Sequence, residues 1–411
     1  MPAPIAIVGA GPCGLTFARL LQGAGIEYVV FERDASPEPP ERYQGGTLDV
    51  HGHTGQAALR RAGLHAEFER LARRDATTMT IQDARGNHRA TFGEGRDAPE
   101  IDRLQLRQML LDSLPAHRIR WGKVLRSAER DGRMKQSDPA GPVLRFADGS
   151  VETGFRLVVG ADGAWSKLRQ MITSAKPHYS GTMFVEGWLT QNNSQYQAAR
   201  DMVGSGNSMA MSAERSLCVQ QMSDGSYRVY MGLKAPETLT GPGGDADLAD
   251  MDKARAAMLG FYADWAPHLR AFVDAAEGPW RSWLLYHLDP DLFLPEAPGW
   301  TRAPGIVLLG DAAHVAIPNG EGVNQALYDA LVLFECILSE LGKTDGCYNQ
   351  DEDAAALERA VVAYEMDMRP RARLHIQDGL DLDHMIYNDE GAQRMVHALT
   401  VATEQSGAEL S

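Results

Sequence analysis

The segment Gly9-Ala10-Gly11-Pro12-Cys13-Gly14 constrains the fold of this chain more than any other stretch. It is a G-x-G-x-x-G set between the apolar run Ile5-Ala6-Ile7-Val8 and a helical pattern from Pro12 to Ala24. A short apolar run ending in glycine suits a buried parallel strand. Gly9 then permits the tight turn, Gly11 lets the backbone approach a pyrophosphate, and Gly14 allows close helix–strand packing. The helix N-terminus attracts the phosphate charge. Tyr28-Val29-Val30-Phe31 reads as the second strand of a β-α-β unit, and Glu32 ends it at the spacing of an acceptor for a ribose hydroxyl. A bare glycine-rich turn is the competing reading, but both strands and the acid favour a dinucleotide site.

Two later stretches share this strand-to-turn character. Leu157-Val158-Val159 runs into Gly160-Ala161-Asp162-Gly163, followed by Ser166 and Arg169. Taken alone this reads more readily as a turn, because Asp-Gly is a common turn pair. Ile306-Val307-Leu308-Leu309 runs into Gly310-Asp311-Ala312-Ala313-His314. A carboxylate at the carboxyl end of a strand is placed to accept from a flavin ribityl hydroxyl. Pro318-Asn319-Gly320-Glu321-Gly322-Val323-Asn324 then opens a long helix whose apolar stripe is packing. Its first backbone N–H groups are placed to face a flavin carbonyl edge, where negative charge develops on reduction.

The three motifs, in this order, resemble the class A flavoprotein monooxygenases of the para-hydroxybenzoate hydroxylase type, from the N-terminus to about residue 375. The resemblance implies FAD as cofactor, NADPH as co-substrate, and transfer of one oxygen atom from O2 to an aromatic or polycyclic small molecule, in secondary metabolism or xenobiotic modification. It implies that Asp162 and Gly163 touch both FAD and the nicotinamide donor. Gly310 and Asp311 would hold the ribityl chain, and Arg103 or Arg107 would lie near the FAD phosphates and ribityl. Pro318, Gly320, Gly322, Val323 and Asn324 would border the flavin. Gly45-Gly46-Thr47-Leu48-Asp49-Val50-His51 with Thr54-Gly55-Gln56 is similar to the tetracycline-inactivating branch, where this loop follows Glu32-Arg33 and approaches the flavin ring. Arg33 and Asp49 are expected to pair there; His51 and His53 read as loop residues.

Three departures from the family pattern stand out. One residue is missing between Pro318 and Gly320. Glu321 occupies a position often held by a neutral residue, and a carboxylate beside the flavin would oppose its anionic reduced form. Glu186, Ser208 and Arg228 fall where the tetracycline branch carries a Gln, an Arg and a His that contact substrate, so tetracycline is not the expected substrate. Tyr179, Trp188, Met209, Met211, Tyr230 and Met231 are further candidates for the pocket wall, each equally an ordinary core residue. No protein nucleophile or general base is nominated. The altered loop keeps open a non-redox FAD-binding cyclase or isomerase, and a flavin-binding protein without turnover.

At 411 residues the chain is too long for one ordinary core. The expected class is α/β: a Rossmann-like FAD-binding domain (1–74, 102–177 and 291–345) with an interleaved, mostly antiparallel substrate domain (75–101 and 178–290). A C-terminal helical region (354–388) and a tail (389–411) follow. The net charge of -15 argues against nucleic acid and anionic membrane surfaces as partners. Cys13, Cys218, Cys336 and Cys347 show no metal-like spacing, so no metal site is expected, and a reducing compartment fits. With the first strand at Ile5 and no apolar stretch of transmembrane length, a cytoplasmic monomer is expected.

Overall fold

The computed structural model describes residues 2–38, 45–129, 142–343 and 349–408, with side chains through residue 401. Its centre is a five-stranded sheet in the order Ile306–Leu308, Leu157–Gly160, Ile5–Val8, Tyr28–Phe31, Ile119–Arg120, parallel throughout. Almost every residue of these strands is buried, as their unbroken apolar runs require when helices cover both faces. The helix Pro12–Gly23 buries Leu15, Phe17, Ala18 and Leu21 in this core, and the helix Gly322–Leu341 adds Leu327, Ala330, Leu333 and Phe334.

A seven-stranded sheet forms the second layer, in the order Glu277–His287, His178–Leu189, Tyr227–Lys234, Arg215–Gln221, Asn207–Ser212, Met79–Asp83, Ala90–Phe92. Its pairs are antiparallel except Asn207–Ser212 with Met79–Asp83. Strand side chains alternate between faces. One face, with Met183, Val185, Leu217, Val219, Val229 and Met231, packs under the helices Tyr196–Val203, Met251–Phe261 and Pro267–Ala275. The other carries Phe184, Glu186, Arg228, Tyr230, Cys218, Met209 and Met211.

Four elements differ from the sequence expectation. The sequence from Lys253 to Phe272 predicts one helical stretch, but the structure has two helices, because Pro267 lacks an N–H and opens a new first turn. Asp102, by sequence the candidate cap of a helix from Arg103 to Leu114, does not cap the helix Arg103–Asp112; it accepts from the Ser223 hydroxyl at 2.6 Å. The C-terminal helix begins earlier, at Gln350, where the Asn349 side chain accepts from the Asp351 amide at 2.9 Å, and it passes through Pro370 to Ile386. The segment taken as a tail forms the helix Gly391–Ala408, which sets Ala392 and Met395 against Ile81 and Met211. No helix among the described residues is long and apolar enough to cross a membrane.

Candidate active site

The carboxyl ends of three parallel strands bring the three glycine-bearing motifs together. A side chain at Gly9 would run into the Ala161 carbonyl, and one at Gly14 into the Gly9 carbonyl, so the first two motifs touch through backbone. Around Gly11 there is open space, as there is around Gly163 and Gly322. Cys13 Sγ donates to the Ala326 carbonyl at 3.0 Å, tying the first helix to the one that follows the third motif. Cys13 is buried, which pushes its thiol well up, so it acts as a packing residue.

Arg169 links the second motif to the third. Its guanidinium donates to the Asp311 carbonyl at 3.2 Å and the Ala312 carbonyl at 3.1 Å, and also to the Ala164 carbonyl. Asp162 Oδ2 accepts from the Lys167 amide at 2.8 Å, whereas Oδ1 is sealed from solvent with no hydrogen-bond partner. Burial pushes this carboxyl up, against hydrogen bonds from Ser166 and the Lys167 amide. The Asp311 residue is exposed at the start of a one-turn helix.

Glu32 is buried and already engaged: Oε2 accepts from the Ala10 amide at 2.5 Å and Oε1 from the Asp34 amide at 2.9 Å. Arg107 braces the same loop, donating to the Ala10 carbonyl at 3.2 Å and to Asp34 at 3.1 Å. Arg103 packs against Gly45, and its amide donates to the Gly46 carbonyl at 3.2 Å.

The expected pair of Arg33 and Asp49 does not form. Asp49 pairs instead with Arg96 at 3.0 Å and with His51 at 2.9 Å, while Arg33 is exposed. His51 is the missed residue of this loop. Its Nε2 faces Asp49 and its Nδ1 faces Glu321 Oε1 at 3.0 Å, so one imidazole spans the loop and the start of the helix Gly322–Leu341. The two carboxylates raise His51 to about 9, and His51 in turn holds Glu321 below the usual carboxylate range. Asn324, fully buried, completes the junction: Nδ2 donates to the Asp49 carbonyl at 3.0 Å and Oδ1 accepts from the His51 amide at 2.8 Å. Its side chain is thus spent on protein backbone. Pro318 and Gly320 are exposed, Val323 is half-buried, and a side chain added at Gly320 would point toward the Asp49 carboxylate.

Behind the third motif lies a buried polar cluster that the motifs did not reveal. Asp329 Oδ2 accepts from the Gly310 amide at 2.9 Å and meets His314 Nε2 at 2.6 Å. Arg371, from the C-terminal helix, donates to Asp329 Oδ1 at 2.9 Å. Burial alone would lift Asp329, but His314 and Arg371 overcome it and hold the carboxyl at about 2. His375, buried and beside His314, is pushed down to about 4.

On the open face of the seven-stranded sheet, Glu186 stands opposite Tyr230, Tyr230 opposite Cys218, and Cys218 opposite Met209. Tyr230 and Cys218 lie deep in the molecule yet are not sealed from solvent. This row faces the loop 45–49: a side chain at Gly46 would strike the Tyr230 hydroxyl, and Gln220 accepts from the Thr47 amide at 3.4 Å. Ser208 is not part of it. Register places Ser208 beside Val219 and Val229 on the opposite face, where it accepts from Gln82 at 3.2 Å, so the substrate role expected for it is withdrawn. Met231 belongs to that opposite face as well. Met211 lies on the open face but is covered by Ile386, Ala392 and Met395.

The sequence profile of the family described as "FAD binding domain" matches residues 2–219. The chain is 30% identical to monooxygenase penA of Penicillium thymicola, over 96% of this chain and 98% of that protein. The chain belongs to this FAD-binding family. Monooxygenase asqM of Emericella nidulans is 32% identical over 90% of this chain and 92% of its own length. Among solved structures, Klebsiella pneumoniae HpxO complexed with FAD and uric acid superposes with a TM-score of 0.73 at 21% identity, covering 96% of this chain and 92% of HpxO. Tetracycline destructase Tet(51) superposes at 0.65 with 18% identity, covering 98% of each chain.

The chain is therefore a flavin-dependent monooxygenase that takes FAD. These relatives favour oxygenation over the cyclisation or isomerisation left open by the altered loop. The local geometry of the flavin monooxygenase fits the cofactor: unfilled space at Gly11, Gly163 and Gly322, and a buried, unpartnered acceptor at Asp162 Oδ1.

Proposed function

We propose that this flavin monooxygenase uses NADPH and O2 to place one oxygen atom on an aromatic or polycyclic small molecule. The observation that carries the reading is the deep row Glu186–Tyr230–Cys218–Met209, turned toward the loop 45–49, with Tyr230, Cys218 and Met209 partly accessible and Glu186 buried at its end. Phe184 meets the Tyr230 ring edge-on at 6.2 Å, so the wall offers an aromatic corner to a planar ligand. The uric acid bound by HpxO, a planar fused heterocycle, supports a flat ligand at such a wall.

When bound, FAD supplies electron transfer and oxygen activation; the protein supplies placement and exclusion of water. The residues divide that work as follows. Gly11 and the first turn of Pro12–Gly23 receive the pyrophosphate, with Glu32 toward the adenosine ribose. Asp311 accepts from the ribityl chain, and Arg169 fixes the turn that presents it. Asp162 Oδ1 accepts from a cofactor hydroxyl or amide that satisfies its orphaned valence. Arg107 and Arg103 brace the surrounding loops. Gly320, Gly322 and Val323 present backbone N–H groups at a helix N-terminus, where growing negative charge is stabilised. Asn324 keeps the loop 49–51 against that helix.

The test is NADPH oxidation in air, with NADH alongside, across a panel of aromatic and polycyclic compounds. One labelled oxygen atom in the product under 18O2 is expected, with consumption of NADPH stimulated by the compound that is modified. Product formation without NADPH and without label would overturn the reading.

A further inference from the structure

The Glu186–Arg228 couple is built as half of a hydrogen-bonded pair. Glu186 is 1% exposed, and its Oε2 accepts from Trp283 Nε1 at 2.6 Å. Its Oε1 has no hydrogen-bond partner, and neither has Arg228 Nε, although both atoms are buried. They lie 3.4 Å apart, but the N–H is not aligned on the carboxylate. The guanidinium carbon lies 5.4 Å from the centre of the Trp188 ring, a contact that favours this position over one turned onto the carboxylate. Buried polar groups left unpaired in this way are rare and destabilising.

A carboxylate oxygen only accepts, and an arginine N–H only donates. A ligand carboxylate would meet Oε1 with like charge; an ammonium would meet Arg228. Arg281 stands opposite Glu186 on the neighbouring strand and also acts on this carboxylate, but at Oε1 and Nε themselves the matching edge has one donor and one acceptor. A single hydroxyl serving both is poorly shaped: bonds of about 2.7 and 2.9 Å to atoms this close give an angle of roughly 75° at its oxygen. Two adjacent ligand atoms allow parallel bonds instead.

Building on the reading of this face as the substrate wall, we propose that Glu186 and Arg228 recognise a lactam edge, Oε1 accepting from the ring N–H and Nε donating to the neighbouring carbonyl oxygen. The bound heterocycle then lies against Tyr230 and Phe184.

The test titrates the FAD-loaded protein with isoquinolin-1(2H)-one, its N-methyl derivative and 1-naphthol, reading the change in flavin absorbance. The lactam is expected to bind at least ~10-fold more tightly than the N-methyl compound, the penalty for leaving Oε1 unpaired. Glu186→Met should bring the two to equal affinity, and Arg228→Met, which keeps an apolar stem over Trp188, should weaken the lactam by ~10-fold. Equal affinities in the wild-type protein overturn the proposal. So does a preference that survives Glu186→Met, since it would then be steric. Binding of 1-naphthol but neither isoquinolinone overturns the lactam assignment and leaves the substrate wall in place. No response to any of the three removes both.

Discussion

His51 holds two carboxylates with one imidazole, and its charge has a defined pH window. Its raised value, about 9 against an ordinary 6.5, means the folded state binds the proton more tightly than the unfolded chain. That stabilisation is complete below about pH 6.5 and is lost as pH rises through about 9. Glu321, held low, contributes above its ordinary 4.5 and loses its contribution on acidification. His51→Gln should therefore flatten the alkaline decline of melting temperature between pH 6.5 and 9.5, by on the order of 1 kcal/mol. The same residues bear on the flavin. Glu321 is compensated by His51 rather than standing as a bare negative charge. Glu321→Gln leaves the cation in excess and should raise the flavin reduction potential, on the order of 30 mV for each 1.4 kcal/mol of differential stabilisation. His51→Gln should lower it. Spectroelectrochemistry that finds both potentials unchanged would place this cluster away from the ring. Asp311→Ala tests the ribityl assignment more directly: the protein should fold and lose FAD on gel filtration.

Elements built by local backbone demands were legible in the sequence; those built by distant partners were not. The turn at Gly9 to Gly14 announces itself because only glycine tolerates carbonyls so close on both sides. The side of the sheet on which Ser208 lies depends on pairing register, and a one-residue slip reverses it. The strand His178–Leu189 carries two irregularities against Glu277–His287, so spacing along the chain alone does not fix which of its side chains share a face. The family resemblance implies Arg33 as the partner of Asp49, but Arg96 reaches it from another loop. The helix Gly391–Ala408 went unread because its apolar positions have meaning only against Ile81 and Met211. That contact makes a prediction for the element. Met395→Ala should destabilise the protein by about 2 kcal/mol through the cavity it leaves, with the first cleavage in limited proteolysis moving to the junction before Gly391. An unchanged digestion pattern would mean the helix is not docked in solution.

At the scale of the whole molecule, Asp329 joins three structural layers at one carboxylate. Through the Gly310 amide it fixes the end of an edge strand of the parallel sheet; through His314 it fixes the short helix carrying Asp311. Arg371 brings in the C-terminal helix, which also reaches the parallel sheet through the Tyr364 hydroxyl on the Leu308 carbonyl at 3.0 Å. The same helix ends beside the seven-stranded sheet, where Asp383 accepts from Thr182 at 2.8 Å and pairs with Lys234. One long helix thus spans both sheets, and its hold at the flavin end is electrostatic. Removing one member of a buried ion pair strands its partner, so Arg371→Leu should cost about 3–5 kcal/mol. The loss should depend on pH in a defined direction. Asp329 sits near 2 in the folded protein against an ordinary 3.8, so its contribution is full above about pH 4 and disappears on acidification through about 2. Without Arg371 the folded carboxyl rises, and the acid unfolding midpoint should move up. FAD retention should fall in parallel, because the turn bearing Asp311 loses its anchor. Arg371→Lys, keeping the charge without the planar fork, should recover part of the stability and less of the retention. If Arg371→Leu instead unfolds at the wild-type pH with its flavin in place, the cluster is packing alone and the C-terminal helix does not set the cofactor site.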